Sequence, residues 1–270
     1  MNNSLDTAFK ELKEKGEKAL ACFLTAGDPT EQCTLQLVKV MEQAGADIIE
    51  IGIPYADPLA DGPTIQNSSK RALKHGINIP KIMNLVKTIR NSEVKAPIVY
   101  LMYYNSIFKY GMERFLKQCS EVGVQGLIIP DVPVEERGEL GEMCLKNNVY
   151  LIPLVAPTSE ERIEKITKDG HGFVYCVSVN GVTGTRDSIN TDMEEYMSTV
   201  GKYTSIPRMI GFGISSVETA RKMKEHSEGV IIGSAIVNRI ANIKEDMSNY
   251  KEVENHIKIF IEEIKNELKR

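Results

Sequence analysis

Gly126-Leu127-Ile128-Ile129 is apolar at every position. A strand sends successive side chains to opposite faces, so this run leaves neither face for water. That pattern marks a parallel sheet covered by helices. Working outward, the runs 19–25, 47–53, 98–103, 150–154, 172–177, 208–212 and 229–232 join 126–129 as strands, eight in all. Amphipathic stretches of helical period follow them. Ile82, Leu85, Val86 and Ile89 form one apolar face. Met112, Phe115, Leu116, Cys119 and Val122 form another, and Val253, Ile257, Phe260, Ile261, Ile264 and Leu268 a third. Asp28-Pro29-Thr30-Glu31, Thr158-Ser159-Glu160-Glu161 and Ser215-Ser216-Val217-Glu218 have the polar-x-x-Glu form of helix starts. Gly45, Gly123 and Gly229 stand where helices stop before the next strand.

Eight strand–helix units without a linker or composition break predict a (β/α)8 TIM barrel, one domain spanning 1–270, of class α/β. Residues 2–18 precede the first strand and are expected to form a short extra helix closing the barrel bottom. The competing fold is a doubly wound open sheet, weakened by the lack of GxGxxG after the first strand.

Composition limits the function. Lys+Arg is 33 and Asp+Glu is 37, a net charge of −4, which argues against a nucleic-acid binder relying on bulk positive charge. The apolar fraction of 42% and charged fraction of 26% fit a globular chain with a large core and exclude disorder as its main state. The apolar stretches run to about nine residues where a membrane span needs ~20, so no membrane association is expected. The charged opening, with Asp6, Lys10, Glu11 and Lys13, lacks a signal-peptide core, and a cytoplasmic location is expected. Five cysteines without a CxxC read as small core hydrophobes. Four dispersed histidines give no metal-binding pair, and no metal is expected.

In such a barrel the chemistry lies at the C-terminal ends of the strands. Within 47–53, Ile49, Ile51 and Ile53 suit the helix layer, so Glu50 points into the barrel beside Ile48 and Gly52. A carboxylate there loses hydration; it pairs with a cation or its pKa rises toward proton transfer. The predicted strand interiors offer almost no basic partner except Arg208 at an edge, which favours the catalytic alternative over an internal ion pair. The following loop, 54–63, holds Asp57 and Asp61 between three prolines that restrict its shape. Either aspartate could fold over the mouth as a second acid/base group, or merely cap a turn. Gly181-Val182-Thr183-Gly184, Gly211-Phe212-Gly213-Ile214-Ser215 and Gly233-Ser234-Ala235 follow the last three strands. Backbone N–H groups there suit a phosphate, although each could be no more than a tight turn.

Glu50-Ile51-Gly52-Ile53-Pro54, Asp57-Pro58-Leu59-Ala60-Asp61-Gly62-Pro63-Thr64-Ile65-Gln66, Pro130-Asp131-Val132-Pro133, Gly181–Gly184 and Gly211–Ile214 together resemble the tryptophan synthase α chain family. The likeness runs from about Phe9 to the C-terminus. It implies retro-aldol cleavage of indole-3-glycerol phosphate to indole and glyceraldehyde 3-phosphate, without metal or other cofactor. By the same resemblance Glu50 is the acid/base, Asp61 accepts the indole N1–H, and Tyr175 lies near the glycerol portion. Thr183 contacts the aspartate when the lid closes, and Gly184, Gly213, Gly233 and Ser234 cradle the phosphate. Phe23, Ile65, Leu101, Leu127, Ile129, Phe212 and Ile231 wall the indole, as a planar heterocycle requires.

The family's partner is a pyridoxal-phosphate β chain in an α2β2 complex, which receives indole through a tunnel. The implied contact surface includes Pro54, Asp57, Pro58, Asn105 and Phe108. Tyr103, Tyr104, Ile107, Phe108 and Tyr110 are dense for a loop and either form that interface or pack on the barrel mouth. Departures from the family pattern are Val179, where some relatives carry a basic residue, Tyr55-Ala56, where many have Phe-Ser, and Tyr104 in place of a small residue. Two other functions compete: a different sugar-phosphate barrel isomerase or epimerase, and a catalytically weak subunit that mainly activates the β chain.

Overall fold

The computed structural model describes residues 3–177, 186–211 and 213–269. Its nine strands among these residues are β1 (Ala19–Thr25), β2 (Ile48–Gly52), β3 (Ile98–Leu101), β4 (Gly126–Ile128), β5 (Tyr150–Leu151), β6 (Leu154–Val155), β7 (Val174–Val177), β8 (Arg208–Gly211) and β9 (Gly229–Ile232). All pair in parallel, in the order β5-β4-β3-β2-β1-β9-β8-β7-β6. The two ends of that order are halves of the expected fifth strand. Pro153 has no N–H to give a ladder, and the strand breaks there. The joint still closes the cylinder: Ile152 N–H donates to Leu127 O at 2.9 Å on one side, and Tyr175 N–H to Pro153 O at 2.8 Å on the other. The barrel is therefore the eight-unit cylinder that the sequence pattern predicts.

Strand alternation divides the core in two. Ile49, Ile51 and Ile53 join the outer layer between strands and helices. Ala19, Ala21, Ile48, Val99, Ile128, Phe173, Met209 and Ile231 fill the lumen. The helix Ser4–Lys15 closes the bottom by inserting Leu5, Phe9 and Leu12 into that inner cluster, with the Phe9 and Phe173 rings 5.9 Å apart. Asn3 caps this helix by accepting from Leu5 N–H. Its Nδ2 also donates to Gln125 O and Asn148 O at 3.0 Å each, tying the plug to the barrel floor. The five cysteines are all buried and free.

Several local expectations shift by a residue or more. Thr30, Ser159 and Ser216, not the first polar residue of each quartet, cap their helices and accept from Cys33, Arg162 and Thr219 N–H. Asp28 instead takes a bidentate bond from Arg71, both contacts at 2.7 Å. Gly229 is the first residue of β9 rather than a helix stop; a Cβ there would lie 2.7 Å from Ala19. Two helices, Pro63–Lys74 and Ile79–Asn91, separate β2 from β3. Residues 104–110, read as loop, form the helix Tyr104–Tyr110. No helix among the described residues is long and apolar enough to cross a membrane.

Candidate active site

Glu50 sits on the inner face of β2, in register with Phe23 of β1 and Val99 of β3. It is 1% exposed, and its Oε2 finds no hydrogen-bond partner. Among the described residues no Lys or Arg forms an ion pair with it. Arg208, the one basic residue within the described strands, is engaged by Glu228 at 2.8 Å. Burial, and secondarily the charge of Asp61, push the Glu50 carboxyl up to about 8. It is therefore mostly the neutral acid at pH 7, able to give a proton.

Asp61 arrives from the loop after β2. The turn Pro58–Asp61 closes with Asp61 N–H donating to Pro58 O at 3.1 Å. Gln66 Nε2 donates to Asp61 O at 2.8 Å, and Ala60 N–H donates to the Tyr103 hydroxyl at 2.9 Å. Gly62 and Pro63 then start the next helix, Pro at N1 having the φ a first turn needs. That helix is anchored to the end of β1 by the Thr25–Ser68 hydroxyl pair at 2.6 Å and by the Arg71–Asp28 pair. Burial raises the Asp61 carboxyl to about 6 against a lowering hydrogen bond from Tyr103. At pH 7 Asp61 is thus mostly ionised and Glu50 mostly neutral. Two carboxyls whose environments separate their pKa values in this way can act as acid and acceptor together.

Both carboxylates line one cavity of about 210 Å³ at the C-terminal mouth. Phe23, Ile65, Leu101 and Ile231 supply its apolar wall. Tyr175 projects into it from β7; burial and the charges of Glu50 and Asp61 hold its hydroxyl in the neutral form. Gly211 makes room for that ring, since a Cβ there would run into the Tyr175 hydroxyl oxygen. The rest of the wall includes Gly213, Ser215, Gly233 and Ser234, with Gly213 at φ +79, a conformation that favours glycine. A larger cavity of about 470 Å³ opens at the other end of the barrel. Its Arg208 and Glu228 satisfy each other, whereas the one buried unpartnered carboxylate oxygen among the described residues is that of Glu50.

Other expected site residues fall elsewhere. Leu127 and Ile129 do not wall the cavity; they belong to the outer, helix-facing layer, and Ile128 takes the lumen position. Thr183, Gly184 and Phe212 lie outside the described residues, as does Val179. Pro54 and Pro58 are buried, Asp57 is exposed and Asn105 is half-buried. Phe108 is 72% and Leu59 95% exposed, while Tyr103 and Ile107 pack inward. The cavity lining also includes Gly62, Ile214, Ser215, Ala235 and Asn238, which the expected site residues leave out. Ile214, Ser215 and Ala235 lie within the glycine-led runs already singled out; Asn238, one helical turn beyond Ser234, carries no signal of its own.

A family model described as tryptophan synthase alpha chain matches residues 9–269. The chain belongs to the tryptophan synthase alpha chain family. It is 56% identical over 264 residues to the tryptophan synthase alpha chain of Thermoanaerobacter sp. (strain X514), covering 97% of this chain and 98% of that one. It is 53% identical over 266 residues to that of Clostridium kluyveri, covering 98% and 99%. Among solved structures, tryptophan synthase subunit alpha from Legionella pneumophila superposes with a TM-score of 0.89 at 30% identity over 99% of each chain. As a member of the tryptophan synthase alpha chain family, this protein is a lyase of tryptophan biosynthesis that cleaves indole-3-glycerol phosphate. The family works with a β subunit in a complex.

Proposed function

We propose that Glu50 and Asp61 divide the cleavage chemistry between them. Neutral indole is a poor carbanion leaving group. Glu50, as the acid, protonates indole C3 and makes the ring an imine-like electron sink. Ionised Asp61 accepts the N1–H and stabilises the positive charge that develops there. Glu50, now a carboxylate, takes the proton of the glycerol hydroxyl beside the ring. The C–C bond breaks, its electron pair returns to the ring as indole, and the hydroxyl carbon becomes the aldehyde of glyceraldehyde 3-phosphate. Protons and electrons balance without metal or Schiff base. The observation that carries this reading is the buried, unpartnered Glu50 oxygen in a cavity shared with Asp61.

Phe23, Ile65, Leu101 and Ile231 hold the indole, and Tyr175 adjoins the glycerol. Gly213, Gly233 and Ser234 receive the phosphate, with backbone amides in place of a basic clamp. Thr183 and Gly184 complete the lid and the phosphate cradle. Lid closure excludes water and strengthens the electrostatics.

Residues 1–270 act as one barrel domain in the cytoplasm. The β chain is a pyridoxal-phosphate enzyme docked in an α2β2 complex over Pro54, Asp57, Pro58, Asn105 and Phe108. The exposed Phe108 and Leu59 give that face apolar anchors beside the mouth. Aldehyde release from indole-3-glycerol phosphate, with and without the β chain, tests the scheme. Near-normal release by Asp61→Asn would remove Asp61 from it.

A further inference from the structure

Tyr55 stands two residues past Ile53 and belongs to none of the roles assigned above. Its hydroxyl accepts the Asn105 Nδ2 hydrogen at 3.0 Å. Its ring stacks on Tyr103, with centroids 4.9 Å apart and planes at 19°. The Tyr103 hydroxyl in turn accepts Ala60 N–H at 2.9 Å, one residue before Asp61. These contacts run unbroken from the helix Tyr104–Tyr110, through two rings, to the backbone that carries the carboxylate. Asp57, Leu59 and Ala60 are exposed and, of residues 57–60, Pro58 alone is buried, so this part of the loop has little packing of its own. The ring stack and the two hydrogen bonds instead tie the loop to the barrel.

We propose that Tyr55 is a positioning residue for the cleavage reaction: its Asn105 bond and Tyr103 stack fix the loop that aims Asp61 at the indole nitrogen. The inference rests on the reading of Asp61 as the N1–H acceptor. A hydroxyl fixed at one end by an amide and backed by a stacked ring has few rotamers left. The tyrosine below it is thereby held where it can meet Ala60. Misplacing a charge acceptor weakens transition-state stabilisation more than substrate binding, since the positive charge at N1 exists only after C3 is protonated.

The test is steady-state aldehyde release by the full-length chain, alone and saturated with its β chain. Tyr55→Phe keeps the stack and removes only the hydroxyl. It should lower kcat about fivefold, ~1 kcal/mol at 1.36 kcal/mol per tenfold, with KM within about twofold. A less ordered Asp61 raises Glu50 less, so the alkaline limb of the pH profile should move to lower pH. Asn105→Ala, assayed without the partner, should reproduce the loss, and the double variant should be no worse than either single one. In an Asp61→Asn background, Tyr55→Phe should have no further effect. Unchanged kcat in Tyr55→Phe, additive losses in the double variant, or the same loss persisting without the Asp61 carboxylate would each overturn the proposal. If Asp61→Asn is itself near normal, the reading of Asp61 fails first; if it is impaired while Tyr55→Phe is normal, this inference fails alone.

Discussion

The ring of Phe23 occupies the space that a side chain at position 52 would need. A Cβ on Gly52 would lie 2.6 Å from Phe23 Cζ and 2.7 Å from Cε2. Glycine two residues beyond Glu50 therefore lets an aromatic wall reach across the lumen beside the carboxyl. Gly52→Ala must drive that ring into the cavity. Overpacking of this kind costs ~1–3 kcal/mol, and urea unfolding should show it. Because the displaced ring narrows the indole slot, KM should rise by more than kcat falls.

Asp28 is fully buried at its side chain, whereas Arg71 is about one-third exposed. Arg71→Met leaves the carboxylate buried without its bidentate partner. Allowing for the exposure of Arg71, the loss should be ~2–3 kcal/mol in denaturant titration, below the range for a wholly buried pair. The helix so anchored begins two residues after Asp61, and cleavage should slow as well.

The burial that raises Glu50 to about 8 also sets how stability depends on pH. The folded chain holds a proton at Glu50 that the unfolded chain releases near pH 4.5. Wild-type stability from this group is therefore present below pH 4.5 and lost as pH rises toward 8. Glu50→Gln lacks this dependence. Relative to wild type it should gain stability between those limits, on the order of 3 kcal/mol by pH 7. Urea titrations at pH 5 and pH 8 measure the difference; an equal offset at both would contradict it.

The catalytic profile has the opposite requirement at each carboxyl. Asp61 must be ionised and Glu50 protonated, so kcat/KM should be bell-shaped, falling below about 6 and above about 8. Since the two carboxyls interact, these limbs belong to the pair. Asp61→Asn should remove the acidic limb and move the alkaline one down.

Glu50 was legible because its strand alternates a charge with isoleucines, and period two then leaves one orientation. Gly126-Leu127-Ile128-Ile129 has no such contrast. Apolar residues on both faces announce the sheet but carry no phase to check the resemblance, which assigns Leu127 and Ile129 to a cavity that they face away from. The phase comes from pairing: Leu101 lies opposite Ile128. Pro153 was visible in the sequence, but not that closure would survive it through bonds on either side. The Asp28–Arg71 pair joins residues 43 apart in the chain, a separation over which local pattern is silent. The helix Tyr104–Tyr110 was hidden by aromatics of weak helix propensity, held there by the burial of Ile107.

One substitution bears on the centre of the account. Glu50→Gln removes the proton donor while keeping shape and size, and glyceraldehyde 3-phosphate release from indole-3-glycerol phosphate reads the consequence. The account predicts a fall in kcat of about 10²–10⁴-fold, with the β-chain complex still formed. Release at the wild-type rate would contradict it.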